Sequence, residues 1–191
     1  MTIVQIGTNN GADDCNTFVR QNKDTIDKVY LIEPLAKCNT HIIDMYNGTT
    51  NVSIHNIGIS DNPLQDEITM FHPAHDETSA HSASNIEHLI GHDHRDIHSI
   101  VVPCMTLDKF FEINNITQCD RLYIDTEGLD CKILLGFDFV KYDIKYIEFE
   151  ILHTDGVFTR GELYDKCISK FKASGYRITA GGQYNECAIK I

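Results

Sequence analysis

Val4-Gln5-Ile6-Gly7-Thr8-Asn9-Asn10-Gly11 carries a short apolar run into a glycine-bounded turn, and Val29-Tyr30-Leu31-Ile32-Glu33-Pro34 ends a second run on an acidic residue. Ile3 to Ile6 reads as a strand stopping at Gly7, followed by a helix from about Asp13 to Asn22. Val29 to Ile32 is apolar without alternation, as in a strand covered on both faces of a parallel sheet. Beyond Pro34, Leu35, Cys38, Ile42 and Met45 recur at helical spacing, and Val52 to Ile59 reads as a third strand.

The second half repeats the alternation. Thr106 is placed to cap a helix carrying Leu107, Phe110 and Phe111. Leu122-Tyr123-Ile124 is a strand, Asp125-Thr126-Glu127-Gly128 a turn, Lys132 to Leu135 a helix, and Tyr146 to Ile151 another strand. A helix over 161–174 sets Leu163, Tyr164, Cys167, Ile168 and Phe171 on one side. Tyr176 to Ala180 and Cys187 to Ile191, joined through Gly181-Gly182, read as a β-hairpin. Alternating strands and helices predict an α/β fold with a mainly parallel sheet and right-handed crossovers. A C-terminal antiparallel β-hairpin on such a sheet is the ending of the Rossmann-like class I methyltransferase fold.

The 191 residues are 42% apolar and 23% charged, with no repeat, linker or low-complexity tract, so residues 1–191 are expected to form a single domain. Against 16 basic residues stand 28 acidic ones, and the net charge of -12 repels a phosphate backbone, so no nucleic-acid partner is expected. No apolar run approaches the ~20 residues of a membrane helix, and no signal-peptide pattern opens the chain, so no membrane partner is expected. The seven cysteines are odd in number and never form C-x-x-C. They read as reduced, mostly buried thiols of a cytoplasmic protein.

Ligands of open α/β sheets bind beyond the carboxyl ends of the strands, where strand order reverses. Gly7 and Gly11 let the backbone turn tightly there, and Glu33 stands where a carboxylate accepts hydrogen bonds from both ribose hydroxyls. The two signals point to an adenosine-containing ligand. G-x-x-x-G lacks the third glycine of a dinucleotide fingerprint, and Asp13 and Asp14 would repel a pyrophosphate at the helix start. S-adenosylmethionine, which has no phosphate, therefore fits better than NAD. The bland alternative is that the glycines shape a turn and the aspartates cap a helix.

These segments together resemble the FkbM-type methyltransferases. Val4 to Gly11 looks like the family's first motif, Ile32-Glu33-Pro34 its second, and Ile57-Gly58-Ile59-Ser60-Asp61 its third. Thr106-Leu107-Asp108, then Tyr123-Ile124-Asp125-Thr126-Glu127-Gly128 with Leu134-Leu135-Gly136, then Tyr146-Ile147-Glu148-Phe149-Glu150 and Gly175-Tyr176-Arg177 continue the likeness in order. The resemblance implies an S-adenosylmethionine-dependent methyltransferase, with Gly7, Thr8, Asn9 and Gly11 at the methionine end and Glu33 on the ribose. It implies adenine near Ile59, Ser60 and Asp61. Two departures stand out: the family usually has Asp at Gln5 and Lys at Tyr123, and Gln5 offers no negative charge to the ligand's ammonium.

Methyl transfer to a hydroxyl needs alignment and a group to take the proton. Asp125 and Glu127, just past the fourth strand, and Glu150 with His153 beyond the fifth, are the candidate catalytic residues, although a turn and a loop histidine are the plainer readings of Glu127 and His153. A divalent cation on Asp125 and Glu127 is compatible with two carboxylates but not defined by them, so no metal residue is assigned.

Residues 62–100 hold seven histidines, at 72, 75, 81, 88, 92, 94 and 98. His88 and His92 would share a helix face and His92-Asp93-His94 could chelate, yet the spacings suit no standard structural metal site. The favoured reading is a polar excursion over the cofactor, with Glu67 to Phe71 as an extra strand, serving as lid and acceptor region. The chain opens almost at its first strand, so no N-terminal substrate domain is expected; the excursion or a partner subunit, as in a homo-oligomer, would supply the acceptor pocket. The expected function is O-methylation of a sugar, glycan or other small hydroxylated acceptor. The alternatives are a nicotinamide-dependent oxidoreductase and a binding or scaffolding member that has lost activity.

Overall fold

The computed structural model describes residues 1–73, 83–91 and 96–191. Its centre is β1 (Thr2–Ile6), whose Ile3, Val4 and Ile6 are all but fully buried because helices cover both faces of the sheet. The chain continues through α1 (Asp14–Gln21), β2 (Lys28–Ile32), α2 (Asn39–Met45) and β3 (Val52–His55). Then come β4 (Gly58–Ile59), β5 (Glu67–Pro73), α3 (Ile86–Gly91), β6 (Ile97–Met105), α4 (Leu107–Ile113) and β7 (Gln118–Cys119). It ends with β8 (Arg121–Ile124), α5 (Asp130–Gly136), β9 (Asp143–Ile144), β10 (Tyr146–Glu150), α6 (Glu162–Ala173), β11 (Tyr176–Ala180) and β12 (Asn185–Lys190).

Seven strands form the main sheet in the order β11-β12-β10-β8-β1-β2-β3, and only β12 runs antiparallel to its neighbours. The expected α/β fold with a closing hairpin is what forms. Strand order reverses between β1 and β8, where Ile6 lies opposite Ile124 and the Asp125 N–H donates to the Ile6 carbonyl at 3.0 Å. One face packs Val4 and Ile6 with Phe110 and Phe111 of α4, Leu134 of α5 and Phe171 of α6. The other packs Ile3 with Val19 of α1, Ile42 of α2, and Met70 and Val102 of the β5–β6 hairpin.

One expectation needs correction. Val52 to Ile59 is not one strand: β3 lies in the main sheet, whereas β4 pairs with β6 in a separate three-stranded sheet. Asn56 causes the break. Its side-chain N–H donates to the Glu33 carbonyl and to Asn39, and Asn39 donates back to Asn56, each at 2.9 Å, which draws the chain off the sheet edge. Among the described residues of the excursion, the expected strand over Glu67 to Phe71 is present. Glu67–Pro73 pairs residue for residue with Ile97–Pro103, so β5 and β6 make a long antiparallel hairpin reaching Met105. His72 and His98 face each other across it, with ring centres 5.9 Å apart. His75, His81, His92, His94 and the side chain of His88 lie outside the described residues.

All seven cysteines are free and buried, as expected. Among the described residues no helix is long and apolar enough to cross a membrane.

Candidate active site

Gly7 is where the site begins. Its φ of 77° is open to glycine, and a Cβ there would lie 1.7 Å from the Asp125 carbonyl oxygen, so only a bare backbone lets the β1 and β8 ends meet. The loop from Gly7 to Gly11 then folds over β2, with the Gly7 and Thr8 N–H groups donating to the Ile32 carbonyl. Glu33 ties the loop down. One of its carboxylate oxygens accepts from the Asn9 N–H at 2.8 Å, the other from the Leu35 N–H at 2.9 Å. Burial raises its pKa above the usual carboxylate range, against the pull of those two bonds.

Cavities open around this junction, one of them between Gln5, Asp13, Tyr123 and Glu148. A small apolar slot is lined by Ile32, Glu33, Ile57 and Ile59 together with Ile68 and Met70 of β5. A cavity of about 230 Å³ runs along Gly7, Thr8, Asn9, Asp13 and Glu33 to Asp125 and Glu127. Another, of about 350 Å³, lies beyond Glu127 and is walled by Ser84, Asn85, Lys132, His153, Thr154 and Val157. Ile59 lines the slot. Ser60 and Asp61 line a different cavity beside Thr106 and Leu107, and the Ser60 hydroxyl is bonded to Gln65, so the structure does not bring them to the slot.

Glu127, Glu150 and His153 converge, with one ligand-type atom of each within 4.8 Å of the others. Asp125 stands on the neighbouring rim and lines the slot and the 230 Å³ cavity. His153 Nε2 lies 3.5 Å from a Glu150 carboxylate oxygen, and both residues are at least nine-tenths buried. Burial, then the neighbouring Asp130, Asp125 and Glu127, push the Glu150 pKa up to about 9. Asp125 is raised in the same direction by the protein around it and by Glu127 and Asp130; water still reaches its side chain at the rim, so the carboxylate crowding is the firmer of the two causes.

The trio satisfies the distances of a cation site, but the histidine is set for another task. The Phe158 N–H donates to His153 Nδ1 at 3.0 Å, which assigns the ring hydrogen of the neutral imidazole to Nε2, toward Glu150. A metal ligand would need a bare Nε2 and a proton on Nδ1. Glu127 and Phe158 both hold positive φ, 55° and 54°, a strained conformation for residues with a Cβ that clusters at functional sites.

Asp130 is a residue that the sequence reading passed over. It is fully buried at the start of α5 and accepts from the Thr126 N–H and hydroxyl and from the Glu150 N–H, bracing the 125–128 turn against β10. Its only signal was an acidic residue at a helix start, indistinguishable from an ordinary cap. Glu148 is held by the Tyr146 hydroxyl and the Asn185 amide. The two departures, Gln5 and Tyr123, lie directly opposite each other across β1 and β8. Arg121, stacked between the Phe18 and Tyr146 rings, donates to the Tyr123 hydroxyl.

A glycine-turned β1 end, an acidic β2 end, an order reversal between them and β8, and a closing antiparallel hairpin define a class I methyltransferase. The chain belongs to the FkbM methyltransferase family: the model of the methyltransferase FkbM domain matches residues 5–178. Among solved structures it is similar to a methyltransferase FkbM from Methylobacillus flagellatus KT (12% identity, TM-score 0.54, 98% of this chain and 44% of that one). It is also similar to the Methanococcus jannaschii fibrillarin pre-rRNA processing protein (14% identity, TM-score 0.53, 99% of this chain and 66% of that one). At these identities the likeness is one of fold, and the chain spans less than two thirds of either structure's length. No curated protein matches the sequence.

The residues present fit S-adenosylmethionine as a ligand. Asn9 Oδ1 is buried with no hydrogen-bond partner among the described residues, an acceptor awaiting a donor in the wall of the 230 Å³ cavity. Each Glu33 oxygen, having accepted one backbone N–H, keeps a lone pair for a ribose hydroxyl.

Proposed function

We propose that this protein transfers the methyl group of S-adenosylmethionine to a hydroxyl of a sugar, glycan or other small hydroxylated acceptor seated in the 350 Å³ cavity. The observation that carries the reading is the convergence of three side chains: Glu127, which lines both that cavity and the cofactor channel, His153 in the cavity wall, and Glu150 3.5 Å from His153. The bound cofactor supplies an electrophilic methyl on a sulfonium. Glu150 takes the acceptor's proton as the C–O bond forms and the C–S bond breaks, leaving a neutral thioether and a protonated Glu150. His153 donates its Nε2–H to Glu150 and orients it, while Asp125 and Glu127 line the approach.

With its pKa pushed up to about 9, Glu150 needs help to ionise near neutral pH. A sulfonium nearby gives that help, because an opposite charge favours the carboxylate. Ser84 and Asn85 of the excursion complete the acceptor wall, and α3 packs so closely on the 153–160 loop that a Cβ on Gly91 would meet Val157 at 2.5 Å. The excursion is thus the acceptor-facing lid. Buried free thiols throughout support a reducing, cytoplasmic setting.

The test is turnover with methyl-labelled S-adenosylmethionine over a panel of monosaccharides, glycans and hydroxylated natural products. Label on an acceptor oxygen, lost in Glu150→Gln, is the expected result. Transfer only to amines, or undiminished transfer in Glu150→Gln, would contradict it.

A further inference from the structure

Gln5 occupies the strand-end position nearest the ligand's ammonium in the family pattern, yet its amide is already spent. Its Oε1 accepts from the Tyr46 hydroxyl at 3.0 Å, its Nε2 donates to Asp13 Oδ2 at 2.5 Å, and the residue is buried. Asp13 differs in three respects. It lines both the 230 Å³ cavity and the adjoining one walled by Gln5, Tyr123 and Glu148, and water still reaches it in part. It is held in one orientation by the Gln5 amide on one oxygen and the Asn16 N–H on the other. And the same cavity wall carries the unpartnered buried Asn9 Oδ1, a second acceptor with nothing to accept from.

Of the other carboxylates on that cavity, Glu33 is bound to the Asn9 and Leu35 N–H groups at the β2 end, and Asp125 and Glu127 belong to the β8 end. A cationic group entering between the glycine loop and α1 therefore meets Asp13. We propose that Asp13, on the cavity wall that Asn9 shares, receives the α-ammonium of the cofactor's methionine moiety, and that Gln5 braces Asp13 in place of supplying the charge itself. This rests on the S-adenosylmethionine reading of the site. It turns the helix-capping aspartate into a specificity residue: Asp13 discriminates a ligand with an amino group from one without. The negative charge sits not at the strand end but at the N-cap of the next helix, one hydrogen bond away.

The experiment is calorimetric titration of S-adenosylhomocysteine and of its deaminated analogue, which keeps the carboxylate and lacks only the ammonium. Asp13→Asn is the variant, since Asn caps a helix as well as Asp and preserves the fold. Asp14→Asn, the same charge change one residue on, is the control. The expected result is ~10- to 100-fold weaker binding of S-adenosylhomocysteine to Asp13→Asn, the range lost with a charged hydrogen bond, with the analogue unchanged and Asp14→Asn indistinguishable from wild type. Equal weakening of both ligands would make Asp13 a structural cap and overturn the proposal, as would full affinity in Asp13→Asn. Wild-type protein that binds neither ligand overturns the cofactor reading, and this proposal with it.

Discussion

Glu33 and Glu150 are both buried carboxylates, and their surroundings give them opposite tasks. Glu33 accepts two backbone N–H groups, so it joins the glycine loop to the end of β2 even before a ribose arrives. Glu33→Gln keeps the shape but turns one acceptor into an NH₂ that faces a backbone donor. It should cost ~1–3 kcal/mol of stability, read by urea denaturation; an unchanged midpoint would mean the loop is held otherwise. Glu150 accepts no such bonds, and its pKa of about 9 stands above the ordinary 4.5. A folded-state value raised in this way means that the folded protein holds the proton more tightly. The stability tied to it is complete below about pH 4.5 and is lost as pH climbs through about 9. Glu150→Gln should therefore flatten the stability profile between those limits and leave the variant more stable than wild type at pH 8, measured by denaturant titration across pH. Parallel profiles would show that Glu150 ionises freely in the fold.

Gly7 belongs to the scale of elements, because it sets how closely two strands end together. Gly7→Ala would put a Cβ 1.7 Å from the Asp125 carbonyl at a φ of 77°, so β1 or the 125–128 turn must move. A loss above ~3 kcal/mol, seen as a much lower thermal midpoint, is expected, and a midpoint within a degree or two of wild type would contradict the packing described. The elements most legible in the sequence were those whose signal is local: the unbroken apolar run of β2, the Thr106 cap of α4, the glycine-rich joint of the terminal hairpin. β6 was missed although Ile97, Ile100, Val101 and Val102 are β-branched. Its alternation is blurred by Ile100 and Val101, which point outward at about half exposure, and its partner β5 lies a full excursion away. The break after β3 depends on Asn56 meeting Asn39, a tertiary amide pair with no local trace. The site was half legible for the same reason. Glu33, Asp125, Glu127, Glu150 and His153 each stood at a strand end, but neither the closeness of Glu127 to the Glu150–His153 pair nor the bracing by Asp130 follows from spacing.

At the scale of the whole molecule, net charge bears on the class of partner. The Methanococcus jannaschii fibrillarin is described as a pre-rRNA processing protein. This chain carries 28 acidic and 16 basic residues and a net charge of -12, which opposes a phosphate backbone. Fluorescence anisotropy with labelled structured RNA at ~50 mM salt should show no saturable binding; a salt-sensitive affinity in the low micromolar range would overturn the small-acceptor reading.

The central claim is that the junction of β1, β2 and β8 is an S-adenosylmethionine site anchored by Glu33. Calorimetric titration of the intact protein with S-adenosylmethionine, S-adenosylhomocysteine and NAD, repeated on Glu33→Ala, tests it most directly. Micromolar binding of both sulfur ligands, abolished in Glu33→Ala, and no heat from NAD is the predicted result. Binding of NAD alone, or equal affinity for the sulfur ligands in wild type and Glu33→Ala, would contradict it.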